Sequence, residues 1–142
     1  LHLDKVDSTA DSYSLLGTDL AKELEENGIS PVTLPAALLT EEWSIKEITY
    51  QYEDSFSAVN IEFTQDNILV ALHIVAYSYA EQLGGDIHNP HKGVQQEING
   101  IDVFVFDLPR EPLAKWVNGL TVYTIMTNCD YETLLEIAKT IQ

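Results

Sequence analysis

VQQEINGIDVFVFDLPREPLAKWVNGLTVYTIMTNCDYETLLEIAKTIQ, residues 94–142, is the stretch whose reading decides the fold. It holds two Asn-Gly pairs, Asn99-Gly100 and Asn118-Gly119, each flanked by alternating apolar and β-branched residues. An Asn-Gly pair supplies the two positive-φ positions of a type I′ turn, whose twist matches that of paired antiparallel strands. The spacing therefore predicts two hairpins, Val94 to Ile98 with Ile101 to Leu108 and Leu113 to Val117 with Leu120 to Met126, separated by Pro109 and Pro112. Beyond them Asp130 is placed to cap a helix with the apolar face Leu134, Ile137, Ala138 and Ile141, and Lys139 stands favourably in its last turn.

Upstream of this stretch, Ile68 to Tyr79 is apolar on both parities, the pattern of a central strand covered at least in part on both faces. Phe56 to Thr64 alternates, with Val59, Ile61 and Phe63 on one side and Asn60, Glu62 and Thr64 on the other, so one face meets the core and one meets water. A strand from Trp43 to Tyr52 changes parity between Ile45 and Ile48, which predicts a bulge or a late start. Pro31 and Pro35 make residues 29–39 an extended lead-in. From Ser8 to Asn27, Tyr13, Leu16, Leu20 and Leu24 recur at helical spacing, and Asn27-Gly28 supplies a left-handed stop. Gly17 weakens that helix by roughly 1 kcal/mol relative to Ala, so it must dock on something. Glu23, Glu25 and Glu26 read as its solvated face. The expectation is one α+β domain over residues 1–142, with residues 1–8 a flexible lead-in. It is a mostly antiparallel sheet of six or seven strands with an N-terminal and a C-terminal helix packed against it.

The chain has 142 residues, with 23 acidic against 7 basic side chains and a formal charge of −16. That charge repels phosphate backbones and anionic headgroups, so nucleic acid is not an expected partner. Cys129 is the only cysteine, which excludes an intramolecular disulfide and the zinc-ribbon spacings. No apolar run approaches the roughly 20 residues that span a bilayer. The sequence starts at Leu1 without Met, as a mature or truncated piece of a longer product would.

For chemistry the chain offers little. Asp86, His88 and His91 place three ligand-type side chains in one Gly/Asn/Pro-rich loop, and zinc accepts such a set. The ordinary account of such a segment is an exposed loop, so neither a metal nor a cofactor is expected there. His73, within an apolar strand, reads as a partly buried, hydrogen-bonded histidine. Cys129 precedes a helix start but has no histidine near it in sequence, and reads as an inert thiol. Nucleophile elbows, phosphate loops and His-Glu-x-x-His helices are absent, so no catalytic residue is assigned. Tyr50, Tyr52, Phe56, Phe63, Tyr77 and Tyr79 fall on three successive strands, where pairing in order would let the tyrosines Tyr50, Tyr52, Tyr77 and Tyr79 form a partner-binding surface.

Four segments carry a family resemblance: the lead-in PVTLPAALLTEEWSIKEITYQY (residues 31–52), the hairpin INGIDVFVF, the turn AKWVNGLTVYTI and the closing ETLLEIAKTI. Together they resemble the domain of unknown function catalogued as four-three-six-seven, found mainly in Gram-positive bacteria. There it lies outside the membrane in proteins with one N-terminal membrane-spanning helix, some of them similar to anti-sigma factors. The resemblance implies an extracytoplasmic binding or sensing module without catalytic activity, tethered to the cell membrane only through an upstream anchor. It carries no catalytic residues over. The protein or small molecule such a module would bind is left open. The alternative is a small secreted hydrolase, metal-assisted through the loop Asp86 to His91.

Overall fold

The computed structural model describes residues 2–6, 18–29, 33–82, 93–107 and 112–141. In chain order these form strand β1 (His2–Val6), helix α1 (Thr18–Glu26), a 3₁₀ turn (Ala36–Leu39), and strands β2 (Ser44–Tyr52), β3 (Phe56–Gln65) and β4 (Ile68–Tyr77). A short 3₁₀ turn (Ala80–Gln82) follows, then β5 (Gly93–Ile98), β6 (Ile101–Phe106), β7 (Leu113–Asn118), β8 (Thr121–Thr127) and helix α2 (Tyr131–Ala138). All eight strands join one sheet in the order β1-β2-β3-β4-β8-β7-β6-β5, and every neighbouring pair is antiparallel. The sheet is two four-stranded meanders joined at their inner strands, β4 to β8. This is the expected α+β architecture. Seven strands lie between Ser44 and Thr127, and residues 2–6, read from sequence as a lead-in, add an edge strand on β2.

The alternation of the strands puts one continuous apolar face on one side of this sheet. Ile48, Ile61, Leu72, Ile125, Ala114 and Val105 form one cross-strand row, and Tyr50, Val59, Ile74, Tyr123, Trp116 and Val103 form the next. None of these twelve residues is more than 1% exposed. Burying a side chain of this kind contributes roughly 1.5–3 kcal/mol, so these rows dominate the stability of the sheet. The cover is made by α1 through Leu20 and Leu24, by the lead-in through Leu34 and Leu38, by α2 through Leu134, Ile137 and Ala138, and by Ile141 just beyond α2, which all belong to the same core.

Local signals explain most of the boundaries. Helix α1 stops at Asn27-Gly28, where Gly28 takes φ +87°. Ile29 N donates to Leu24 O at 2.9 Å and Gly28 N to Glu25 O at 3.2 Å, the paired bonds of a Schellman stop. Asp130 caps α2 by accepting from Thr133 N at 2.8 Å. The parity change in β2 is a bulge between Ile45 and Glu47. Strand β4 is central, as its apolar run implies. Leu72 and Ile74 fill the covered face, and on the other face Val75 is 8% exposed while Leu69, Ala71 and Tyr77 are half-buried.

Two expectations about polar residues are corrected. Glu23 is not part of a solvated face: it is half-buried and accepts from Tyr50 Oη at 2.9 Å and Asn27 Nδ2 at 2.6 Å, because α1 lies over the end of β2. Glu25 and Glu26 do face solvent. The second Asn-Gly pair does not form the turn its sequence suggests. Asn118 pairs with Thr121, so the turn residues are Gly119 and Leu120, and of these only Gly119 has positive φ, at +65°. Glycine at the first turn position is the type II′ pattern.

Candidate functional site

The four tyrosines read as a binding surface are divided between environments. Tyr50 is 1% exposed on the covered face, and Tyr52 stacks on it with ring centroids 6.1 Å apart while its hydroxyl donates to Asn27 O at 3.1 Å. Tyr77 is on the opposite face, because antiparallel pairing sets it against Phe56, an edge-to-face contact at 6.0 Å. Tyr79 lies beyond the end of β4 and is 60% exposed. The antiparallel register, invisible in the spacing of the tyrosines, sends Tyr50 into the core and packs Tyr52 against it. Burial first, then the hydrogen bond to Glu23, holds the Tyr50 phenol well above the ordinary tyrosine range. Burial also raises Tyr123, against a smaller opposing effect of the bond from Thr33.

Other polar groups of interest are bound into the framework. Tyr123 Oη accepts from Thr33 N at 3.1 Å, and Asn118 Nδ2 donates to Thr33 Oγ1 at 2.8 Å, so the lead-in is pinned to β7 and β8 by two bonds at one residue. Asn99 Nδ2 donates to Ile141 O, tying the first hairpin turn to the residues after α2. Thr127 Oγ1 lies 3.0 Å from the Cys129 Sγ and also accepts from Cys129 N at 3.2 Å. His73 is half-buried on the face away from the helices, opposite Asn60 and Thr124. Asp86, His88 and His91 lie outside the described residues, and among the described residues no group of three metal-ligating side chains comes together.

The sequence reading missed a cleft between the two hairpin tips. Within each hairpin the pairing runs up to the turn, to Ile98 with Ile101 and to Asn118 with Thr121. Between the hairpins the β6–β7 ladder covers only the four pairs from Phe106 with Leu113 to Val103 with Trp116. Over the last two residues of each strand the hairpins part. The gap is a cavity of about 470 Å³, lined by Ile101, Asp102 and Phe104 of β6, Val117 and Asn118 of β7, and the turn glycines Gly100 and Gly119. That volume is within the usual range of small-ligand pockets. A Cβ built on either glycine would meet nothing within 4 Å, so the space beside both turns is open. The signal that could have found the cleft is the pair of turns itself: two hairpin tips at the same end of a sheet need not stay paired to each other. Comparison with protein families, with curated proteins and with solved structures gives no match.

Proposed function

We propose that this protein is a non-catalytic binding or sensing module presented outside the cell membrane, and that the cleft between the hairpin tips is its binding recess. The observation that carries this reading is the early end of the β6–β7 ladder, which opens a pocket between two otherwise fully paired hairpins. Sites of this kind suit recognition, because the walls are strand residues held in place by the sheet. The core side of the sheet is given over to structure, with Tyr50, Tyr123, Asn99 and Asn118 all engaged in bonds that hold helices and lead-in in place. The extracytoplasmic placement is supported by the resemblance of residues 31–52 and the two hairpins to domains held outside the membrane of Gram-positive bacteria. Among the described residues no helix is long and apolar enough to cross a membrane. The net charge of −16 turns the choice of partner away from nucleic acid and towards proteins or neutral and cationic small molecules.

The test is a thermal-shift screen against peptides, sugars, amines and metal salts, followed by amide NMR of any hit. A ligand at a hundredfold its dissociation constant stabilises the fold by roughly 2.7 kcal/mol. The expected result is a hit whose amide shifts centre on Gly100 and Gly119. Hits that leave both glycines unmoved would remove the cleft from the proposal, and the absence of any hit would favour a purely structural role.

A further inference from the structure

The chemistry of the cleft wall narrows what it would hold. Asp102 is exposed, carries the one charge among the lining residues, and is joined there by the ring of Phe104 and the side chain of Val117. Alternation along β6 sets Val103 and Val105 on the covered face and Asp102 and Phe104 together on the face away from the helices. A carboxylate and an aromatic ring two residues apart on one strand therefore border the same recess, with an aliphatic wall opposite. Among the described residues no cation is ion-paired with Asp102. Directly opposite Asp102 on β5 stands its register partner Glu97, also exposed. Like charges set opposite one another weaken a strand pair, and a cation lodged beside them would relieve that repulsion. Lys115, the cross-strand partner of Phe104, is not a lining residue and has a partner of its own.

From this combination of cavity, ring and carboxylate we infer that the cleft binds an organic cation on an apolar stem, of the size of a lysine side chain. The ammonium would bond to Asp102 and lie against Phe104, while the methylene stem would lie along Val117. A charge-assisted bond and a cation–π contact favour the same group here, and neither favours an anion or a sugar. This inference rests on the reading of the cleft as the binding recess, and the experiment separates the two.

The probe is acetyl-Ala-Lys-Ala-amide titrated into the ¹⁵N-labelled protein at low salt, with the norleucine peptide of the same length and shape as the uncharged control and butylammonium as the free amine. The lysine peptide is expected to shift the Gly100 and Gly119 amides at least about tenfold more tightly than the norleucine peptide, with affinity falling as salt is added. Asp102→Asn, at an exposed position, should weaken the lysine peptide by about tenfold, and Phe104→Leu by about threefold. Binding of butylammonium equal to that of the peptide would assign the site to small amines, and a clear preference for the peptide would assign it to a basic side chain of a protein partner; either supports the cation. Equal binding of the norleucine and lysine peptides at the two glycines would overturn the cation and leave the recess standing. Silence of both glycines towards all three probes would overturn the cation, and silence towards the wider screen as well would overturn the recess.

Discussion

The two Asn-Gly pairs have the same sequence and different conformations. At Asn99-Gly100 both residues are left-handed, with φ of +51° and +80°, and Ile98 pairs with Ile101 across a two-residue turn. At Asn118-Gly119 the asparagine belongs to the strand, and the turn has moved one residue on, to Gly119-Leu120. The cause is on the covered face. In the observed register Trp116 stands opposite Tyr123, with parallel rings 5.1 Å apart, and the small Ala114 stands opposite the larger Ile125. A turn centred on Asn118-Gly119 would slide β8 by two residues and set the indole against Thr121. It would also carry the Asn118 amide away from Thr33. The first hairpin sits at the sheet edge, where its local turn preference meets no such demand. A dipeptide sets the turn where the core permits, and yields where a stacked pair and a part-buried hydrogen bond add up to more than the turn preference.

The stack is the place to break this comparison. Trp116→Ala removes a fully buried ring and should cost about 3–5 kcal/mol, measured by urea unfolding, with the loss felt first in the second hairpin. Trp116→Phe keeps a ring against Tyr123 and removes an indole N–H that has no acceptor among the described residues, so it should cost clearly less.

The asparagines should then separate by conformation. Asn99→Ala places an alanine at φ +51° and removes the bond to Ile141, for a loss of about 2 kcal/mol. Asn118→Ala keeps an extended backbone and removes only the bond to Thr33, for about 1 kcal/mol. Equal losses at the two sites would mean that the turns do not differ as described.

Alkaline pH sharpens the same contrast, because the second hairpin contains Tyr123 and the first contains no tyrosine. The folded phenols of Tyr123 and Tyr50 are raised above their unfolded value. Stability is therefore full below the unfolded tyrosine pKa, near 10, and is lost as pH rises from there towards the folded values. Tyrosinate absorbance should show two slow-titrating phenols that ionise only on unfolding, and Tyr123→Phe should remove one of them.

The smallest effect concerns the anchor of the first hairpin. Asp130 is held below the ordinary carboxyl range by the bonds from Thr133, so its contribution is present above the unfolded aspartate pKa and is lost as pH falls through the folded one. Asp130→Asn keeps a capping oxygen and should flatten that acid dependence. Asp130→Ala should fray the start of α2 and loosen the Asn99 turn, which is tied to Ile141, more than the Asn118 turn. Hydrogen exchange at Gly100 and Gly119 reads the difference.

The sequence by itself determined the strands from β2 to β8, the bulge in β2, the Schellman stop of α1, the cap of α2 and its buried face. Each of these depends on residues within a few positions of one another: alternation, a glycine at positive φ, a carboxylate three residues before an N–H. The tertiary structure alone decided the order of the strands, because β4 meets β8 only after the chain has crossed from the sheet centre to its far edge, roughly 19 Å away at the usual strand spacing. It also decided the burial of Tyr50 and Glu23, the register of the second hairpin and the cleft between the tips. These depend on partners as far apart in sequence as Thr33 and Tyr123, and no local pattern encodes which of them will meet.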